Sequence, residues 1–449
     1  MQMKRWGGLA LVLGLLLVAA PATAQQVIPD LWPVDEDDVE SDPALGDLDI
    51  LDELRAANVI DEATYETARR KVARKRLSAL HPTGTVLVAY TPENETEYDD
   101  FTTYPGSPDE ERGFWLNKAD LGLEGSVIFP WLSTKLILDS KSNDDGSIGV
   151  RVDQASIKAA VTPNSMKDDP VVPKWGLLVG AQKIPFSRQS NKSTGQLQFI
   201  SRSVVVSEMP IRYDIGATLL QKYKLQDAAN GKEWANFTID AGIYNGRGDH
   251  VYVNDNNDDS MVALRASVDL FGTMAPGEGD LMPRYWPHKL AANDPESLWP
   301  KLSLGFSYLN NKDIDRDVTA IGYDAEFRWS GLSVQYERIH TLYEPDLGEV
   351  TVADTLADDW ETDGWYVQGG LFIIPRHLEL AARYEEYMLD LQTDLDDKRV
   401  VSATTYGVNL HLATKHRLKL MANWVERGEL EGMPEIDNDT FTVQGALSF

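Results

Sequence analysis

The sequence contains no cysteine among its 449 residues. Disulfides, cysteine-linked lipid anchors and covalently attached haem are therefore excluded. Basic residues are scarce relative to acidic ones, since 42 lysines and arginines are outnumbered by 71 aspartates and glutamates, which gives a formal net charge of −29. Because so acidic a chain is repelled by phosphate backbones, its bulk charge excludes nucleic acid as a partner.

Long apolar runs are also missing beyond the N-terminus. The run at residues 9–20 follows Lys4 and Arg5 and precedes Ala22-Thr23-Ala24, which has the pattern of a signal-peptidase site. It is too short to span a bilayer, so residues 1–24 are predicted to be a cleaved signal peptide. An exported membrane protein without spanning helices must be a closed barrel, because only a barrel then pairs every backbone group in lipid.

What the chain does contain is alternation of apolar and polar residues with a period of two. Near the C-terminus the large apolar positions are Phe441, Val443, Leu447 and Phe449, separated by polar or small residues. Such alternation gives a strand with two different faces, and an ending on an exposed aromatic is typical of an outer-membrane barrel. We expect these four residues to form the signal that the barrel assembly machinery reads. The alternative is the terminal strand of a soluble sandwich.

The same alternation recurs from residue 84 to residue 449. Short turns alternate with longer polar connections, so the predicted fold is all-β, a transmembrane antiparallel β-barrel of about 16 strands. One connection, residues 272–300, is too long for its place in this order and is predicted to be an ordered periplasmic insertion or an unrecognised hairpin. The candidate strands are residues 84–92, 112–128, 132–140, 150–162, 175–183, 211–224, 234–245, 260–271, 301–309, 318–329, 331–342, 363–374, 377–388, 400–413, 416–427 and 440–449.

The segment between the signal peptide and the barrel has a different pattern. Residues 25–48 are an acidic linker, and residues 49–80 are predicted to be helical, with an apolar stripe of Ile50, Leu51 and Leu54. Because the helical segment is too small to form a core and precedes the first strand, we expect it on the periplasmic side. It would bundle beneath a trimer, plug the pore mouth or act as a loose tether.

Charged residues occupy every second position in several predicted strands. A basic side chain that faces lipid at mid-depth costs about 2–4 kcal/mol, so these residues are predicted to face an aqueous interior. Sixteen strands enclose a lumen wide enough for water and small solutes, which predicts a pore. The candidate lumen-facing charges are Arg265, Asp269, Asp324, Glu326, Arg328 and Glu337.

A block in the middle of the chain resembles a known family. It consists of Val179-Gly180-Ala181-Gln182-Lys183-Ile184-Pro185-Phe186, then Leu197-Gln198-Phe199-Ile200-Ser201-Arg202-Ser203, and then Pro210-Ile211-Arg212-Tyr213-Asp214-Ile215-Gly216. Together these parts resemble the phosphate-selective porin O and P family, and the resemblance extends over about residues 84–449. It implies a trimeric sixteen-stranded channel of the bacterial outer membrane, whose loops fold into the lumen and line it with basic side chains.

Residues 183–212 are basic within an acidic chain. If this segment folds inward, its fixed positive charge favours anions, and arginine suits phosphate-like groups because its fork donates two hydrogen bonds at once. The alternative is that the basic residues pair with acidic neighbours and only hold the barrel together. The segment contains five basic residues and one acidic residue, Glu208. The five basic residues are the candidates for anion selectivity: Lys183, Arg188, Lys192, Arg202 and Arg212.

No pattern of catalytic or metal-binding residues emerges from the sequence. The seven histidines lack zinc-ligand spacing, so no enzymatic activity, metal or cofactor is predicted. The predicted function is passive diffusion of small hydrophilic solutes through a channel in a Gram-negative outer membrane. Its predicted partners are outer-membrane lipid, lipopolysaccharide and further copies of the chain in a homotrimer. The alternatives are a structural envelope barrel and a sheath for a partner protein such as a cytochrome.

Overall fold

The chain divides into two compact units, Met1–Arg76 and Leu77–Phe449. The predicted signal peptide and acidic linker lie outside the residues that the structure describes. Two residues of the predicted helical segment are described: Tyr65 is helical, and Leu80 begins the first strand. The structure, a computed structural model, describes residues 65, 80–92, 113–126, 131–142, 148–161, 171–209, 211–226, 233–248, 259–275, 277–280, 300–312, 316–345, 359–390, 398–413, 416–428 and 439–449.

Sixteen β-strands make up most of the described residues. They are β1 (Leu80–Thr91), β2 (Gly113–Ser126), β3 (Leu132–Ser142), β4 (Ile148–Val161), β5 (Val171–Lys183), β6 (Tyr213–Gln226), β7 (Glu233–Tyr244), β8 (Met261–Leu270), β9 (Lys301–Lys312), β10 (Arg316–Trp329), β11 (Leu332–Pro345), β12 (Trp360–Ile374), β13 (Leu378–Asp390), β14 (Lys398–His411), β15 (Leu418–Gly428) and β16 (Thr440–Ser448).

The strands form one closed barrel. Each strand pairs antiparallel with the next along the chain, and β16 returns to pair with β1, so that Val86 lies opposite Leu447. Backbone hydrogen bonds of 3.0 Å join Gly84 and Phe449 in both directions. The sheet therefore has no unpaired edge, which is the condition for a sheet in lipid. The predicted antiparallel barrel of sixteen strands is confirmed.

The strand boundaries follow the sequence alternation to within four residues. The strand predicted at 260–271 is Met261–Leu270, whereas β9 continues to Lys312 instead of ending at 309. Asn310 and Asn311 are polar and interrupt the apolar alternation, so the alternation ends before the strand does. Both residues nevertheless pair with β10, Asn310 with Thr319 and Asn311 with Val318. Pairing with a neighbouring strand, and not apolar alternation, therefore decides where the strand stops.

The outer surface of the barrel is an apolar belt between two girdles of aromatic residues. Leu121, Val179 and Val408 are 45–60% exposed although they are apolar. Trp131, Trp175, Trp329 and Phe449 lie at the strand ends that adjoin the turns, and Tyr323, Tyr336, Tyr384, Tyr406 and Trp424 lie farther along the strands. Such girdles are typical of membrane interfaces. None of the helices in the described part of the chain is long and apolar enough to cross a membrane.

Candidate functional site

The connection between β5 and β6, residues 184–212, is called the inward loop here. It contains α1 (Arg188–Asn191), a 3₁₀ turn (Thr194–Gln196) and α2 (Val204–Ser207). Ser187 and Ser203 cap the two helices, because their Oγ atoms accept hydrogen bonds from the backbone N–H groups of Ser190 and Val205. The loop buries Phe186, Leu197 and Phe199 inside the barrel instead of extending over its rim.

Apolar contacts attach the inward loop to the wall of the lumen between β10 and β15. Two strand glycines make room for it. A Cβ atom added to Gly364 on β12 would lie 2.9 Å from Val205, and one added to Gly407 on β14 would lie 3.1 Å from Phe199. The guanidinium of Arg383 on β13 stands 4.9 Å from the centre of the Phe199 ring. The loop therefore fills this side of the lumen.

Arg188 connects the inward loop to β10 through buried ion pairs. Its Nε donates to Asp324 at 2.6 Å and its Nη1 to Glu326 at 2.9 Å, and its Nη2 donates to Ser303 at 2.6 Å. Burial opposes the charge, yet the two carboxylates raise the pKa of Arg188, so it stays protonated. Its positive charge is therefore neutralised inside the wall and is not available to a solute.

The six predicted lumen charges lie on β8, β10 and β11. Arg265 pairs with Asp324 at 2.6 Å, and Arg328 pairs with Glu326. Asp269 accepts a hydrogen bond from Ser303 at 2.6 Å. Most of these charges thus contact one another or the inward loop in place of open water, and Arg265 is the one of the six that also borders the open cavity described below. Five are buried, namely Arg265, Asp324, Glu326, Arg328 and Glu337.

Lys192 is held in a similar way. Its Nζ donates to the side chain of Gln335 at 2.9 Å and lies 3.5 Å from Glu326 and 3.9 Å from Glu278. Glu278 belongs to the long connection between β8 and β9, so that connection also reaches into the lumen. For Arg188 and Lys192 the structure therefore agrees with the alternative interpretation, in which basic residues hold the barrel together.

Lys183 and Arg202 are placed differently. The Nζ of Lys183 donates to the carbonyl oxygens of Ser190 and Lys192 at 3.0 and 2.7 Å. Arg202 donates to the same Lys192 oxygen at 2.9 Å and to Thr194 at 3.4 Å. Both side chains border the open cavity. Among the ion pairs of the described residues, none joins either cation to a carboxylate.

A cavity of about 720 Å³ stays open between the inward loop and the inner faces of β1 to β8. Lys118 pairs with Asp120 and Lys135 with Glu124, each at 3.3 Å. The basic residues predicted from residues 183–212 do not include the cavity lysines on the strands, namely Lys118, Lys135 and Lys158. They do include Arg212, which is not among the cavity-lining residues. The cavity cations are Lys118, Lys135, Lys158, Lys183, Arg202 and Arg265, and its acids are Asp120, Glu124, Asp153 and Asp240.

The four predicted assembly residues share the outward face of β16. Leu447 and Phe449 are 47% and 55% exposed, and Phe441 lies 6.5 Å, centre to centre, from the ring of Trp424 on β15. Val443 stands opposite Tyr90 of β1. The residues thus combine barrel closure with an aromatic that faces outward at the end of the strand. Their recognition by an assembly machinery stays a prediction.

The chain is similar to known proteins in its sequence and, at low identity, in its structure. A model of the family described as phosphate-selective porin O and P matches residues 88–444. A loop L8 deletion mutant of OmpT from Vibrio cholerae is 10% identical, with a TM-score of 0.48, over 83% of this chain and 99% of that chain. The anion-selective porin from Comamonas acidovorans is 13% identical, with a TM-score of 0.42, over 83% and 99%.

A third similar structure is the outer membrane channel DcaP of Acinetobacter baumannii. It is 14% identical, with a TM-score of 0.45, over 82% of this chain and 97% of that chain. No curated protein matches the chain.

Proposed function

We propose a function for this chain from the premise that it belongs to the phosphate-selective porin O and P family. It is a channel for small solutes in the bacterial outer membrane, and its family and closed barrel point to a channel rather than an enzyme. Within that role, we propose that small hydrophilic solutes diffuse passively through the cavity beside the inward loop. We further propose that anions pass more readily than cations.

The proposed anion preference rests on Lys183 and Arg202. Both cations are oriented by the carbonyl oxygen of Lys192, at 2.7 and 2.9 Å. Arg202 keeps its charge because a guanidinium is not deprotonated in proteins. Because a neutral oxygen holds a cation without cancelling its charge, the positive potential of Arg202 extends into the cavity, where fixed charge of one sign selects solutes of the other. Arg188 contributes much less, since Asp324 and Glu326 neutralise it.

A phosphate-like anion is the solute class that the family resemblance implies. The guanidinium of Arg202 has five N–H donors, and the described residues accept hydrogen bonds from two of its nitrogen atoms. The Nε donor is buried, but the second N–H groups of Nη1 and Nη2 stay unused and suit a phosphate or carboxylate oxygen, because charge-assisted hydrogen bonds are stronger than neutral ones. We therefore place the preferred anion contact at the Lys183 and Arg202 side of the cavity.

The reversal potential in a planar bilayer under a salt gradient tests the proposal. We expect an anion-preferring wild type, and a shift toward cations for K183Q and for R202Q. R338Q is the matched control, because Arg338 is an outward-facing arginine paired with Asp363 at 2.9 Å and lies outside the cavity. Unchanged potentials in both test variants, or a strongly cation-selective wild type, would contradict the proposal.

The size of the cavity bears on the alternatives. A volume of about 720 Å³ admits a small solute but not a folded cytochrome, so the sheath function is not favoured. We also propose that the chain forms the homotrimer that the family resemblance implies, surrounded by outer-membrane lipid and lipopolysaccharide. Crosslinking in intact outer membranes before extraction should give a band at three times the monomer mass.

A further inference from the structure

Gly277–Asp280, a segment of the long connection between β8 and β9 that is called the tip here, lies in the barrel lumen against the inward loop. The sequence predicted a periplasmic insertion or a hairpin in this connection. Its described residues, 271–275 and 277–280, contain no strand, and Glu278 is 1% exposed. We propose that this tip supports the inward loop from behind and thereby determines the size of the solutes that pass. The proposal rests on the channel function but not on the anion preference.

Glu278 binds the inward loop with its backbone and with both carboxylate oxygens. Its N–H donates to the carbonyl oxygen of Gln196 at 2.9 Å. Its Oε2 accepts from the backbone N–H of Gln198 at 2.7 Å, and its Oε1 accepts from the side chain of Gln189 at 3.0 Å. The Nζ of Lys192 lies 3.9 Å from the same Oε1. One side chain therefore fixes two separate stretches of the loop.

The tip is also attached to the wall on its opposite side. Arg328 of β10 donates a hydrogen bond to the carbonyl oxygen of Gly277. The carboxylate of Asp280 accepts from the backbone N–H of Gly331, in the turn between β10 and β11, at 2.7 Å. Gly279 has a φ of +78°, and a Cβ atom there would lie 2.7 Å from Glu379 of β13. The tip is thus wedged between the loop and the wall.

This position couples the tip to the width of the open cavity. Gln196 borders the cavity, and its carbonyl oxygen accepts the backbone hydrogen bond of Glu278. Asn191, Ser193 and Thr194 border the cavity on the same loop. If the tip leaves, the loop can withdraw into the vacated space and away from β1 to β8. The cavity then widens, so the tip acts as a size-determining element.

Two variants test the proposal in complementary ways. E278A removes the carboxylate that holds the loop. G279A keeps Glu278 but strains the tip, because alanine is disfavoured at the φ of +78° and its Cβ would lie 2.7 Å from Oε1 of Glu379. E361A is the matched control, because Glu361 faces outward on β12 near His340. The measurements are single-channel conductance in planar bilayers and swelling of liposomes in maltose, raffinose and stachyose.

We expect about a two-fold higher conductance for E278A and G279A, because a wider constriction conducts more ions. The two variants should also admit a larger sugar than the wild type and the E361A control do. A heat-modifiable band on a gel establishes that each variant is a folded barrel. Folded variants with the conductance and the sugar limit of the wild type would overturn the proposal, even where the reversal potential supports anion preference. A wild type that forms no channel would refute the channel function itself.

Discussion

Replacing Arg188 by alanine should weaken the attachment of the inward loop to β10, where Lys192 keeps its contact with Glu326 at 3.5 Å. The side chain is 9% exposed and pairs with Asp324 and Glu326 at 2.6 and 2.9 Å. Removing one partner of a buried ion pair costs about 3–5 kcal/mol when the remaining charge is left alone. In this protein Asp324 keeps Arg265 and Glu326 keeps Arg328. We therefore expect the free energy of unfolding to fall by about 3 kcal/mol, the lower end of that range.

Equilibrium unfolding of the purified barrel in detergent micelles measures this loss. The chain has 12 tryptophans, so intrinsic fluorescence reports the transition. R338A provides the matched control, because the Arg338 side chain is 53% exposed in its pair with Asp363. Exposed pairs contribute about 0–1 kcal/mol, so this variant should unfold close to the wild type.

Two outcomes would refute the reasoning about Arg188. One is an R188A barrel that unfolds at the same denaturant concentration as R338A, since a neutralised, buried guanidinium must stabilise the loop more than an exposed one does. The other is an R188A channel of wild-type stability whose reversal potential shifts as far as that of R202Q. That result would place Arg188 in the ion path and not in the wall.

Two further predictions concern packing and closure. Gly364→Ala should lower the free energy of unfolding by about 1–3 kcal/mol through overpacking, because its Cβ would lie 2.7 Å from Tyr387 and 2.9 Å from Val205. The control Gly445→Ala, whose nearest neighbour is 3.7 Å away, should not lower it, and equal losses in both variants would show that the loop moves away from the added methyl group without cost. Deleting Phe449 removes both 3.0 Å backbone hydrogen bonds to Gly84, so less heat-modifiable barrel should reach the outer membrane than for the wild type. The control is F271A, which changes another exposed aromatic residue near a strand end, and equal yields of the two variants would contradict a role of Phe449 in closing the barrel.

The barrel could be predicted from the sequence because its determinants are local. In β8, Val262, Leu264 and Ala266 alternate with Ala263 and Arg265, and the pleat converts that alternation directly into an outer and an inner face. Repeated sixteen times, the pattern predicts strand number and strand order, since neighbouring strands in sequence pair with each other. Only the strand ends depend on the partner strand, as at Asn310 and Asn311.

The partners of the inward loop could not be predicted in this way. Arg188 and Asp324 are separated by 136 positions, and nothing local to either residue indicates the contact. The tip at Glu278 has no apolar alternation, and its course depends on Gly277 and Gly279, which both adopt positive φ. The lysines at 118, 135 and 158 did carry a signal, because they alternate with apolar residues in β2, β3 and β4. A charge count along the loop does not include them, because they reach the lumen from other strands.

The charge that a solute meets is therefore not the charge of any stretch of sequence. The inward loop uses Arg188 and Lys192 to neutralise acids that the wall buries, and those acids are thereby also withdrawn from the solute. A net charge of −29 is for this reason compatible with the proposed anion preference. In the proposed function, selectivity depends on the cations that border the open cavity and are held by neutral oxygens, and in the described residues Lys183 and Arg202 meet both conditions.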